Sequence, residues 1–87
     1  MRLDKFLKVS RLVKLRTLAK QVCDAQRVSI NGRAAKPGSE VSVGDTLEID
    51  FGSHVLNVTV VAVRESANTA EARSMYRVTR DEIKKEW

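Results

Sequence analysis

Arg2, Lys5, Lys8 and Arg11 stand three residues apart at the start of the chain, and Lys14, Arg16 and Lys20 follow closely. Such side chains offer positive charge and N–H donors, which suit phosphate oxygens better than bond-breaking chemistry. Residues 1–36 hold ten basic and two acidic side chains, a surplus of eight, whereas residues 37–87 hold six and nine, a deficit of three. The formal net charge of +5 over 87 residues therefore understates a strongly basic first half. Asymmetry of this kind points to a polyanion-binding face.

The elements that must carry these cations are legible in the apolar spacing. Leu3, Phe6, Leu7 and Ser10 fall at i, i+3, i+4 and i+7, which predicts a short amphipathic helix. Arg2, Lys5, Lys8 and Arg11 lie off that stripe, with Lys5 and Lys8 nearly opposite it. Lys14 would return to the apolar face, so the helix is expected to end near Leu12 or Val13, leaving Val13 to Arg16 as a connector. Thr17 reads as the N-cap of a second helix over 18–25, with Leu18, Val22 and Ala25 facing inward beside Ala19 and Cys23. The helical pair then presents Lys14, Arg16 and Lys20 near the basic face of the first helix. The plain alternative is a Lys/Arg-rich solvated surface that binds nothing. A membrane surface fits poorly, because the apolar stripe is short, is needed for packing and contains no Trp.

Val28 and Ile30 alternate with Ser29 before Asn31-Gly32, the strongest short hairpin signal, and Arg33 follows the turn. Lys36 to Ser39 reads as a loop. Val41 and Val43 open a new alternation before the Gly44-Asp45 turn. Leu47, Ile49 and Phe51 then share one face of a strand, with Thr46, Glu48 and Asp50 on an acidic outer side. After Gly52-Ser53, residues 54–64 make a strand apolar on both faces, with His54 exposed at its start. Ala70 to Val78 reads as a short helix and Asp81 to Trp87 as a charged, frayed tail. The implied architecture is α+β, with an N-terminal helical pair packed on a small, mostly antiparallel sheet and a short C-terminal helix. The expected division is a domain over 1–65 and an extension over 66–87.

Catalytic and metal constellations are not evident. One Cys and one His rule out a zinc site of familiar spacing and an internal disulfide. There is no Gly-rich phosphate loop. Cys23 reads as an inert core thiol. No apolar run approaches a membrane span, and residues 1–20 lack a signal-peptide core. The chain is expected to be a cytoplasmic binding protein, not an enzyme, with no cofactor.

The order of basic helix, connector, second helix, hairpin and strand resembles the S-four-type RNA-binding domain. The resembling residues are 2–7, Ser10-Arg11-Leu12, Arg16-Thr17-Leu18-Ala19, Arg27 to Gly32, and Val43 to Leu47, covering roughly residues 1–51. The whole chain is similar to small standalone proteins of bacterial ribosome-associated quality control, through residues 1–14, Arg16-Thr17 and Ala72-x-x-Met75-Tyr76. A related branch is a larger heat-shock protein of free large subunits. The resemblance implies binding to large-subunit rRNA and to peptidyl-tRNA on obstructed large ribosomal subunits. It also implies support of alanine tailing by a factor that delivers charged tRNA. The protein is expected to be monomeric. Arg2 and Arg16 match family positions implicated in RNA contact. Charge geometry adds Lys5, Lys8, Arg11, Lys14, Lys20 and Arg33, and Thr17 and Asn31 complete the candidate set. One departure stands out: Gln26 occupies a position where the family commonly has Gly, so the second helix must end with a strained residue or end differently.

Without an aromatic platform on the outer helix face, recognition of folded RNA by shape and backbone fits better than base stacking. Three alternatives stand beside this reading. A helix-turn-helix DNA binder is disfavoured by the thin outward set Lys20, Gln21 and Asp24. A protein-interaction module would show no salt-sensitive RNA binding. An RNA-binding role in ribosome assembly or RNA modification would keep the same fold.

Overall fold

The computed structural model describes residues 1–83. Its elements are α1 (Leu3–Val9), α2 (Arg16–Asp24), β1 (Val28–Ile30), β2 (Arg33–Ala34), β3 (Thr46–Asp50), β4 (His54–Val60), α3 (Thr69–Arg73) and β5 (Tyr76–Ile83). The strands form one antiparallel sheet in the order β2-β1-β3-β4-β5. Leu47 and Ile49 of β3 and Leu56, Val58 and Val60 of β4 point to one side. There they join Leu3, Phe6 and Leu7 of α1 and Ala19 and Cys23 of α2 in a single core. The α+β architecture expected from the sequence is present.

Helix α1 buries the stripe read from its spacing, Leu3, Phe6, Leu7 and Ser10. It ends at Val9, short of the Leu12 or Val13 expected. Arg11 takes the left-handed conformation, φ 62°, and its N–H closes on the Lys8 carbonyl at 3.1 Å. A straight helix would have aimed Lys14 at the core; the turn instead buries Val13 and leaves Lys14 exposed.

Helix α2 also differs from its sequence reading. It starts at Arg16, Leu15 is the N-cap residue, and no side chain caps it, so Thr17 is not the N-cap. Its inward stripe is Ala19 and Cys23, while Leu18 and Ala25 are exposed. Small residues four apart let α2 lie close to α1, which a Leu18 stripe would prevent. The helix ends with Gln26 at φ 59°. The Gln26 N–H reaches the Cys23 carbonyl at 2.9 Å and the Arg27 N–H the Val22 carbonyl at 3.0 Å, the bond pair of a Schellman end. The non-glycine residue accepts the strained conformation.

The Asn31-Gly32 hairpin forms as expected, with φ 52° and 83°. The strand from His54 stops at Val60, so Val61 and Val63 are exposed instead of strand-buried. The larger correction is at the C-terminal end. The helix expected over Ala70 to Val78 covers only Thr69–Arg73, and Tyr76 to Ile83 form a strand. Asn68 and Glu71 exchange bonds of 2.9 and 3.0 Å in a capping box that starts the helix. The Ser74 hydroxyl donates to the Glu71 carbonyl at 2.7 Å as it ends. Beyond it, Tyr76, Val78 and Thr79 suit a strand, and β4 offers an unpaired edge. The stretch 81–83, read as part of a frayed tail, belongs to that strand; the reading of Lys84 to Trp87 lies outside the described residues. The fifth strand also alters the outer face of the sheet. Arg77 stands opposite Thr59 and Arg80 opposite Asn57, so that face is mixed in charge rather than acidic.

Candidate nucleic-acid interface

A buried carboxylate organises the basic end of the helical pair. Asp4, in the first turn of α1, is only 3% exposed. Its two oxygens accept from Arg2 Nε at 3.2 Å and Arg2 Nη2 at 3.3 Å. Arg16 Nη2, at the start of α2, approaches Asp4 Oδ1 at 3.5 Å. The Lys5 backbone N–H also donates to Oδ1, at 2.8 Å. Burial acts to raise the Asp4 carboxyl. The Arg2, Lys5 and Arg16 hydrogen bonds and the Arg16 charge outweigh it and hold the group below its ordinary value of 3.8. The carboxylate is therefore ionised at neutral pH and fixes two guanidinium groups side by side.

The two arginines remain available. The Arg2 and Arg16 side chains are 56% and 51% exposed. A guanidinium has five N–H donors, so each keeps donors for another anion after binding Asp4. Arg2 lies across Gly38, where an added Cβ would meet its Cζ at 3.8 Å. The same loop closes the start of α1, because Leu3 N–H donates to the Ser39 carbonyl at 2.8 Å and Asp4 N–H to the Pro37 carbonyl at 3.0 Å. With Lys5 N–H on Asp4, the orphan donors of the first turn are satisfied without a side chain from the N-cap position. The uncapped first turn of α2 adds the positive end of a helix dipole beside Arg16.

The remaining candidates fall into separate groups. Lys14, Thr17 and Lys20 are exposed near Arg16 along the connector and α2. On α1 and the turn after it, Lys5 pairs with Glu65, while Arg11 Nη2 lies 3.5 Å from the Ala67 carbonyl. Lys8 is exposed and lines the same cleft as Arg11. Asn31 faces inward chemically: its amide donates to Asp45 Oδ1 at 3.1 Å and its carbonyl accepts from Thr46 N–H at 2.9 Å. Those bonds lock the hairpin to β3. Arg33 lies on the edge strand β2, which meets the C-terminal end of α2 where Cys23 and Asp24 face Ala34 and Lys36. Arg33 thus stands at the other end of α2 from Arg16.

Sequence reasoning missed Asp4 as an organiser, although an acid beside Leu3 in an otherwise basic first turn was a visible signal. It also missed Glu65, whose partner is sixty residues away. Cys23 is buried, and its thiol is pushed up to about 11 by burial and by the nearby carboxylates of Asp4 and Asp24. Among the described residues, no cluster of three His, Cys, Asp or Glu could hold a metal ion, and no helix is long and apolar enough to cross a membrane.

This arrangement of two helices and a hairpin has known counterparts. The S4 domain matches residues 1–47, from α1 into the start of β3. A protein of Bacillus subtilis named RQC P-site tRNA stabilizing factor is 50% identical over 82 residues, 94% of this chain and 95% of the relative. The chain belongs to the S4-domain family of RQC P-site tRNA stabilizing factors. The family member from Halalkalibacterium halodurans is likewise 50% identical, across 94% of this chain and 93% of its own length. Among solved structures, heat shock protein 15 of Vibrio cholerae, described as trimeric, has a TM-score of 0.85 at 30% identity. That match covers 91% of this chain and 81% of the other, so the likeness extends past the S4 segment into the later strands. The RQC P-site tRNA stabilizing factor family is thus shown by sequence, and the fold is shared with heat shock protein 15.

Proposed function

We propose that this protein binds RNA through the Arg2–Asp4–Arg16 cluster and holds peptidyl-tRNA in the P site of obstructed large ribosomal subunits. In this role it supports alanine tailing of the stalled chain by a partner that delivers charged tRNA. The observation that carries the reading is the buried Asp4 carboxylate, which sets two half-exposed guanidinium groups side by side from the starts of α1 and α2. Paired guanidiniums offer donors in a fixed geometry to successive phosphates of a folded RNA. Lys14 and Lys20 extend the positive field along the connector and α2, and Lys8 and Arg11 extend it along α1 and the turn after it. The contribution is positional and electrostatic: the protein binds and does no chemistry, and its place of work is the cytoplasm, on the ribosome.

The test is gradient sedimentation of lysates containing the tagged wild-type chain or the Arg2→Ala/Arg16→Ala double variant. The wild type is expected to co-migrate with large subunits that carry peptidyl-tRNA, and the double variant to shift to the soluble fractions. Unchanged co-migration of the variant would remove Arg2 and Arg16 from the interface.

A further inference from the structure

The connection from β4 to α3 folds back over α1. Lys5 Nζ donates to Glu65 Oε2, and Arg11 Nη2 lies 3.5 Å from the Ala67 carbonyl. Between them, Lys8, Val9 and Arg11 of the helix end face Glu65, Ser66 and Ala67 across a cleft of about 220 Å³. The carboxylate comes from a side chain that is 83% exposed, and it contributes nothing to the core. An acidic group laid on a cationic helix needs a physical reason, because an exposed ion pair adds little to stability.

We propose that this cleft is a subsite for one RNA phosphate, and that Glu65 is a resident anion which an incoming phosphodiester displaces from Lys5. The inference rests on the RNA-binding reading above and deepens it. Lys8 and Arg11 line the cleft, Lys5 reaches it through its pair with Glu65, and Ser66, which also lines it, carries a hydroxyl that can donate. The contact of Arg11 with Ala67 keeps the guanidinium at the cleft while leaving donors unused. A phosphate carries its charge over several oxygens and can accept from more than one of these cations, whereas among the described residues the Glu65 carboxylate is bonded to Lys5 alone. The loop thus sets a threshold: an RNA that places a phosphate here gains the site, and an RNA that does not meets a partly neutralised helix.

The test measures binding of fluorescently labelled tRNA to the full chain over a salt series, for wild type, Glu65→Gln and Glu82→Gln. Glu82 pairs with Arg80 on β5, so its variant makes the same change in net charge away from α1. Glu65→Gln is expected to bind about two- to fivefold tighter, with a log–log salt slope steeper by about one unit, since one more cation is free to release counterions. In a Lys5→Gln background, Glu65→Gln is expected to act no differently from Glu82→Gln. If wild type shows salt-dependent binding but Glu65→Gln only matches Glu82→Gln, the subsite is overturned and the RNA-binding reading stands. If wild type shows no salt-dependent binding, the RNA-binding reading fails and takes the subsite with it.

Discussion

Arg16 reaches back across twelve residues to approach Asp4 at 3.5 Å, on the oxygen that also accepts from Arg2 Nε at 3.2 Å. The carboxylate belongs to the core side of α1 and the guanidiniums to its surface. Two accounts of RNA binding diverge here. If only net charge matters, Asp4→Asn adds one positive unit and tightens binding. If placement matters, the same change releases two anchors and weakens it. We expect weakening by about three- to tenfold in tRNA affinity at fixed salt, since disordered donors must be ordered again on binding. Tighter binding by the variant would favour the net-charge account.

The same carboxylate shapes the acid limb of stability. Asp4 is held below its ordinary value of 3.8, so the folded state binds the proton less well than the unfolded state. Its contribution is fully present above the unfolded value and is lost as pH falls through the lower folded value. Because its arginine partners are half exposed, we expect Asp4→Asn to cost about 1–2 kcal/mol at neutral pH. Urea midpoints followed downward from pH 6 should converge for variant and wild type in acid. Parallel curves would show that Asp4 has no part in that limb.

Gln26 closes α2 at φ 59°, where a side chain is strained and glycine is not. Both bonds of the helix end are already made by backbone groups. Gln26→Gly should therefore keep the geometry and raise stability by about 0.5–1 kcal/mol, read as a higher urea midpoint with unchanged m-value. A lower midpoint would mean that the Gln26 side chain makes a contribution its exposed position does not suggest.

Cys23 reports on opening of the helical pair. With its thiol pushed up to about 11 by burial and by the Asp4 and Asp24 carboxylates, about one molecule in a thousand carries a thiolate at pH 8. Labelling by iodoacetamide at that pH should be slow in the folded protein and should accelerate across the unfolding transition. Rapid labelling under native conditions would show that α1 and α2 separate readily.

The parts of the fold that were legible are those set by neighbours in sequence. The stripe of Leu3, Phe6, Leu7 and Ser10 and the Asn31-Gly32 turn need only local spacing and local backbone preference. The end of α1 was less legible, because Arg11 adopts a conformation that its residue type disfavours, whereas the strained end of α2 at Gln26 was one of the two outcomes the sequence allowed. Strand β5 was misread because Ala72, Met75 and Tyr76 satisfy a helical period, and its true determinant is the free edge of β4. At the interface the cations were visible as charge. The roles of the acids were not, since Asp4, though conspicuous in a basic first turn, acquires its role from Arg16, and Glu65 acquires its role from Lys5. Both are products of the folded chain.

The start of α1 is closed by carbonyls of Pro37 and Ser39, not by its own N-cap side chain. A helix of seven residues has little stability by itself. During synthesis, a chain ending before residue 37 already holds all ten cations of the first 36 positions, yet the carbonyls that close the start of α1 have not been made. The cationic helix is completed only when the loop that follows the hairpin arrives beneath it. Competence for RNA therefore waits for residues 37–39, after most of the segment that supplies the charge has already been made.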